Sequence, residues 1–240
     1  MEKPHFFEQY RQIFKANGLE QYATDDIMDK MYYMADNLLT VNAAMNLTAI
    51  TDWHDILVKH LADSCTILPY IPTGAHVCDV GCGGGFPSFP IAIARPDITV
   101  VGIDSTGKKV NYINQTAELL GLHNLSALCG RAEDMGKSEL RESFDVVTAR
   151  AVANLPVLCE LCIPFVRIGG SFCAMKGNPE DSEIINARSA YQKLGAPLEE
   201  DNIHRFSLEG ETRVILIAKK KTRTPATYPR SYPQIKKKPL

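Results

Sequence analysis

No stretch of the sequence approaches the roughly 18 consecutive apolar residues that cross a bilayer, and the opening "MEKPHFFEQY" has no basic segment followed by an apolar one. We expect a soluble cytoplasmic protein with no membrane partner. Cysteine is present without a framework. The seven residues are odd in number and lie in apolar runs such as "LSALCG" and "SFCAMKG", which suits a reducing compartment. Cys159 and Cys162 form one C-x-x-C, but no second pair or nearby histidine completes the four ligands of a structural zinc. We expect buried, inert thiols and no metal. Acidic residues are missing from one region, 219–240, which holds eight Lys or Arg and leaves 18 basic against 28 acidic residues elsewhere. That asymmetry implies either an arm for a polyanion or a solubilising, disordered end. Tyr228 and Tyr232 among the charges favour nucleic acid, since rings stack on bases and prolines keep such a segment extended.

What is present is enough for one α/β domain and a smaller appendage: 240 residues with 45% hydrophobic content. Residues 5–70 read as helices. Phe6, Phe7, Tyr10, Ile13 and Phe14 recur at helical spacing up to a stop at Gly18. Asp25 or Asp26 is expected to cap a Met-rich second helix, and "HDILVKHLADSCTILPYI" a third, with Ile56, His60, Asp63 and Ile67 along one face. From residue 76 short β-branched runs alternate with helical stretches, the pattern of a parallel sheet. Seven strands are expected: "HVCDV", "DITVVGID", "LSALCG", "FDVVTARA", "GSFCAMK", "IHRFSL" and "RVILIAK". The last two lack a helix between them, so one strand should be antiparallel. We place a helical region at 1–72, a Rossmann-like α/β domain at 73–220 and a basic tail at 221–240.

The stretch "VCDVGCGGGFPSFP" sets four glycines into five positions after the first strand, where open α/β sheets bind ligands. It fails as a dinucleotide fingerprint. Begun at Gly81, G-x-G-x-x-G needs a small residue where Phe86 stands, and begun at Gly83 it meets Ser88. "GIDSTGKK" fails as a phosphate-binding loop, because Lys109 occupies the position of the magnesium-binding Ser or Thr. What remains is D-x-G-x-G-x-G over Asp79, Gly81, Gly83 and Gly85. Asp104 follows at the spacing of a carboxylate that takes ribose hydroxyls, and Ala132 and Glu133 come after strand three, placed to meet an adenine edge. A pocket for adenosine with no pyrophosphate clamp, and with carboxylates that tolerate a sulfonium, describes S-adenosylmethionine.

In order, "NLTAI" (46–50), "HLADS" (60–64), "DVGCGGGFPSFPIAIARPD", "IDSTGKK", "RAED", "FDVVTARAVANL" and "AMKG" closely resemble the glucose-inhibited division protein B family over roughly residues 5–230. One departure is Ser88, where many members carry glycine. The resemblance implies an S-adenosylmethionine-dependent methyltransferase sheet with a helical N-terminal cap, acting on N7 of a guanine in small-subunit (16S) ribosomal RNA. It also implies donor contacts at Gly81, Phe86, Ala132, Glu133 and Arg150. Arg150 is the one that residue reading does not supply. It closes strand four, where amine-directed enzymes carry N/D-P-P-Y/F and pyrimidine-C5 enzymes a Pro-Cys pair, and "TARAVANLP" has neither.

Guanine N7 suits those absences: it is a ring acceptor with no proton to remove, so orientation carries the catalysis. We take Arg150 as the catalytic residue, orienting either the donor's carboxylate or the guanine edge. His60 and Asp63 are expected to join the helical region to the sheet, Lys108 and Lys109 to lie on the cleft rim, and Lys176 to position RNA. A monomer binding ribosomal RNA or a ribosomal particle is the expected assembly. Competing readings are methylation of another RNA atom such as a ribose hydroxyl, a non-catalytic ribosome-assembly factor, and a nicotinamide oxidoreductase.

Overall fold

The computed structural model describes residues 1–240. Helix α1 (Lys3–Ala16) buries Phe6, Tyr10, Ile13 and Phe14, and the chain then reverses through Gly18 at φ 68°. Helix α2 (Asp25–Met45) is preceded by Thr24 at the N-cap, one residue before the expected aspartates. Asp25 and Asp26 sit instead in the first turn, where negative charge complements the helix dipole. The third helix is not uniform. It starts as α3 (Trp53–Asp55), widens into π-helical turns over Ile56–Ala62, and finishes as α4 (Asp63–Cys65). Such widening is frequent at functional sites, and an α-helical period read from sequence does not reveal it.

The remaining elements alternate: β1 (His76–Val80), α5 (Ser88–Ala94), β2 (Thr99–Asp104), α6 (Gly107–Leu119), β3 (Leu125–Cys129), α7 (Ala132–Met135), β4 (Phe144–Arg150), α8 (Leu155–Cys162), β5 (Val166–Lys176), α9 (Asp181–Lys193), β6 (Ile203–Leu208), β7 (Glu211–Lys219) and α10 (Tyr232–Lys237). The seven strands form one sheet in the order β3-β2-β1-β4-β5-β7-β6. Strand β7 is antiparallel to both β5 and β6, and the other pairings are parallel. The order reverses between β1 and β4, which opens a crevice at their carboxyl ends.

Both faces of the sheet are covered. On one side α1, α2, the π-helical stretch, α5 and α6 share a continuous apolar core with Val77, Val100 and Val146. On the other, α8 and α9 pack on Phe144, Val147, Phe172 and Leu216. Strand β1 is therefore buried on both sides, and Asp79 within it is fully enclosed. Helix α5 is buried along its whole length because the N-terminal helices lie over it. No helix is long and apolar enough to cross a membrane.

The basic segment after β7 is neither extended nor disordered, contrary to the sequence expectation. Lys220 is buried and its Nζ bonds Glu142 at 2.9 Å, Thr224 Oγ1 at 2.8 Å and the Ile163 carbonyl at 3.1 Å. Arg141 donates to the carbonyls of Thr224, Pro225 and Tyr228. Arg230 closes on the fully buried Glu160 of α8 through its backbone N–H, Nε and Nη2, and Ile235 of α10 is fully buried. The charge excess that suggested an external polyanion is partly consumed by the protein's own carboxylates. We expect Arg230→Ala, which strands the Glu160 carboxylate, to cost about 3 kcal/mol in urea unfolding, and Glu160→Met with Arg230→Met to recover part of it. A loss below about 1 kcal/mol, the scale of a surface pair, would mean that the pair does not hold the segment down.

Candidate active site

The crevice beyond β1 and β4 is a cleft of about 450 Å³. Its floor is the turn after β1, where Gly81, Gly83 and Gly85 take φ values of 76°, 54° and 92°. At Gly81 a Cβ would meet Val152 Cγ2 at 2.6 Å, and at Gly85 it would strike the Phe89 ring at 2.2 Å. These glycines admit side chains from two other segments against the bare backbone. Asp104, at the end of β2, ties the floor to the next turn: it accepts from Gly83 N–H at 3.0 Å and from Thr106 N–H at 2.8 Å. Asp79 lies beneath. Its Oδ2 accepts from the Ser88 N–H at 3.2 Å and hydroxyl at 2.5 Å, while Oδ1 has no partner. Burial raises this carboxyl to about 6, against the opposing pull of the Ser88 hydroxyl and the Arg150 charge. Ser88 therefore adds a bond to Asp79 that glycine does not make.

The wall beside the floor comes from the helical region. Asn42 on α2 accepts from Leu47 N–H at 2.6 Å and Thr48 N–H at 2.9 Å and donates to the Thr48 carbonyl at 2.9 Å. It thereby pins the loop after α2 against Gly84, whose Cβ would lie 3.3 Å from the Leu47 carbonyl. His60, carried by the π-helical stretch, stacks on Phe86 with centroids 4.1 Å apart and planes at 10°. Its Nε2 lies 2.9 Å from Thr48 Oγ1 and its Nδ1 3.2 Å from Arg150 Nη2. A guanidinium only donates, so Nδ1 accepts and Nε2–H donates to Thr48. Arg150 Nη1 also donates to Asp63 Oδ2 and to the Lys59 carbonyl, at 2.7 and 2.6 Å. Arg213 of β7 reaches the other oxygen of Asp63 at 3.1 Å. Burial, then the Arg150 charge, lowers the imidazole to about 3, so it is neutral. The strand leaves this arginine through Ala151 at φ 57°, a left-handed alanine of the strained kind found at functional turns.

Of the residues expected from the sequence, Gly81, Gly83, Phe86, Asp104, Ala132, Glu133 and Arg150 line this one cleft. Asp79 and Gly85 do not; they support the floor from below and behind. Lys109 is on the rim, whereas Lys108 turns to the Met45 carbonyl at 3.3 Å. Lys176, expected to position RNA, is held by Glu183 at 2.9 Å and by the Ala153 carbonyl. Cys159 and Cys162 are fully buried on α8, and burial raises both thiols. The sequence reading missed Asn42, whose only signal is an amide on an apolar helical face. It also missed His60 and Thr48 as wall residues, and Val152, Leu161 and Tyr232 as part of the lining.

The donor set fits an adenosine bearing a cationic centre. The floor offers bare backbone, and the carboxylates of Asp104 and Glu133 suit hydroxyls and a sulfonium better than a pyrophosphate. The model of the GidB family, rRNA small subunit methyltransferase G, matches residues 27–212. The chain belongs to the GidB family. Relatives from several bacteria carry the name Ribosomal RNA small subunit methyltransferase G. The one from Lactobacillus delbrueckii subsp. bulgaricus is 43% identical over 208 residues, covering 85% of this chain and 87% of that protein. The one from Bacillus cytotoxicus is 41% identical over 226 residues, covering 93% and 94%. Among solved structures, M. jannaschii TYW2 in complex with AdoMet superposes with a TM-score of 0.53 at 17% identity, covering 65% of this chain and 73% of that one; this likeness is one of fold. As a GidB-family protein the chain is an S-adenosylmethionine-dependent methyltransferase.

The neutral His60 makes a testable contribution to acid stability. An unfolded histidine titrates near 6.5 and the folded ring near 3, so between those values the unfolded chain binds the extra proton. Stability is lost as pH falls, by about 1.4 kcal/mol per pH unit from this group. The stability gap between the wild type and His60→Gln should therefore narrow at that rate between pH 6 and 4. An equal gap at both ends of that range would show that the ring is protonated in the fold.

Proposed function

We propose that this GidB-family methyltransferase acts in the cytoplasm as a monomer, binds small-subunit ribosomal RNA or a ribosomal particle, and methylates N7 of one guanine. The observation that carries the choice of atom is the lack of a free base beside Arg150 at the end of β4, since the one uncommitted carboxylate of the lining, Glu133, lies after β3 at the adenine end. Both nitrogens of His60 are committed, to Thr48 and Arg150, and both oxygens of Asp104 accept backbone N–H groups. Cys82, the one cysteine on the cleft wall, has its thiol raised by burial and by the nearby Asp79 and Asp104. A cleft of this kind serves an acceptor that already holds a lone pair and loses no proton, which is guanine N7. The ribose hydroxyl, the runner-up, needs a group to take its proton.

S-adenosylmethionine, when bound, supplies an electrophilic methyl group on sulfur. The protein's part is orientation, which contributes about 7–11 kcal/mol in favourable cases. Gly81 and Gly83 offer backbone at the floor, Asp104 serves the ribose, and Ala132 with Glu133 meets the adenine. Arg150 uses three of its five N–H groups internally. The remaining ones orient the donor's carboxylate or the guanine O6; donation to N7 itself would block the attacked lone pair. The stacked His60 and Phe86 fix the height of that guanidinium, whose carbon lies 5.7 Å from the Phe86 centroid.

Two measurements test this reading. RNA from a strain lacking the protein should lose a single 7-methylguanine mark, which purified protein restores on free RNA, a precursor particle or the mature subunit. Loss of a 2′-O-methyl mark instead would overturn the assignment. In single turnover the rate should be flat from pH 7.5 to 8.5, because Asp79 and His60 both titrate below that window. A unit slope within it would reveal a general base.

A further inference from the structure

The family match ends at residue 212, yet Tyr232 lines the donor cleft. We infer that residues 220–237 form a strap that completes this cleft, with the Tyr232 ring as the outer wall of its adenine end. The inference rests on the reading above that the turn bearing Ala132 and Glu133 meets adenine.

Three contacts locate the ring. Pro229 lies over Gly136, the residue that ends the short α7 helix carrying Ala132 and Glu133; a Cβ on Gly136 would be 3.2 Å from Pro229 Cγ. The next residue, Arg230, clamps Glu160 with bonds of 2.6 to 2.8 Å, and Glu160 precedes Leu161, another residue of the cleft wall. Ile235, three positions beyond Tyr232, is fully buried on the same side of the sheet. The strap is thus pinned on α7 and on α8, the two elements that flank the adenine end, and Tyr232 falls between the pins. A six-residue helix has no stability of its own in water. Here it has a capping box between Ser231 and Gln234 and the buried Ile235, so it is a docked element rather than a frayed end. The ring of Tyr232 is only half-buried, unlike the fully enclosed Tyr10 and Tyr191, and so has surface left for a ligand. An aromatic wall is the partner a purine needs, because every base presents a π-face.

The consequence is that this segment serves the methyl donor as well as any contact its exposed Lys236, Lys237 and Lys238 make with RNA. Isothermal titration with S-adenosylmethionine and S-adenosylhomocysteine tests it without turnover. Tyr232→Ala should weaken both by about tenfold, while Tyr232→Phe, which keeps the ring, binds like the wild type. Ile235→Asp, which undocks α10 by forcing a charge into an apolar site, should give the same loss with Tyr232 intact, and adding Tyr232→Ala to it should cost little more. Thermal melts confirm that the sheet domain remains folded in each variant. Wild-type donor binding by Tyr232→Ala would overturn the inference, as would a fall in RNA affinity at unchanged donor affinity. Asp104→Ala separates the two readings. If it weakens donor binding and Tyr232→Ala does not, the strap fails alone; if neither does, the assignment of the cleft fails with it.

Discussion

The bond between Arg150 and Asp63 joins the two parts on which everything else here depends. One partner ends the central strand β4 and the other sits on the helix above it, with side chains only 15% and 11% exposed. A charge so placed is costly unless its hydrogen bonds are filled, and here they are: Asp63 by two arginines, Arg150 by a carboxylate, a carbonyl and an imidazole. The pair therefore fixes how the helical region sits on the sheet, and through His60 and Phe86 it also fixes the shape of the cleft. Stability and active-site geometry are set by the same few side chains.

This coupling explains the winding of the helix above the sheet. His60 must face Arg150 and Phe86, Asp63 must reach two guanidiniums, and the intervening turn must bring the Lys59 carbonyl to Arg150. The π-helical stretch carries the Lys59 carbonyl and His60, and the first residue of α4 carries the Asp63 carboxylate, to one arginine. The cost of the wider turn is met by burial, since Ile56, Leu57, Val58 and Leu61 all lie in the core.

Much of this was legible in the sequence because the local signals agree. The seven strands and the lone antiparallel one follow from β-branched runs and a missing helix between the last two. The cleft follows from glycines whose spacing fits neither a dinucleotide nor a phosphate loop. Arg150 could be placed at the end of β4 but not connected, because its partners lie about 90 residues away in a stretch whose pitch departs from the α-helix. Asp79 and Gly85 read as ligand contacts because the motif contains them, whereas packing puts one under the floor and the other against Phe89. The basic tail misled for a related reason. Net charge records how many lysines and arginines a segment has, and Glu142 and Glu160, which neutralise two of them, are far away in sequence.

The cleft draws its lining from the loop after α2, from His60, from the ends of β1, β2, β3 and β4, from Leu161 of α8 and from Tyr232. The first of these segments leaves the ribosome nearly 190 residues before the last. A chain made from its N-terminus can lay down α1 and α2 early and pair β1 with β2 soon after. The wall at Tyr232 must wait until β5, β7 and β6 have closed the sheet and the segment beyond them has folded back across α8. Tyr232 is thus the last residue of the lining to be synthesised, long after Arg150, and until the chain beyond β7 is made the cleft lacks one side.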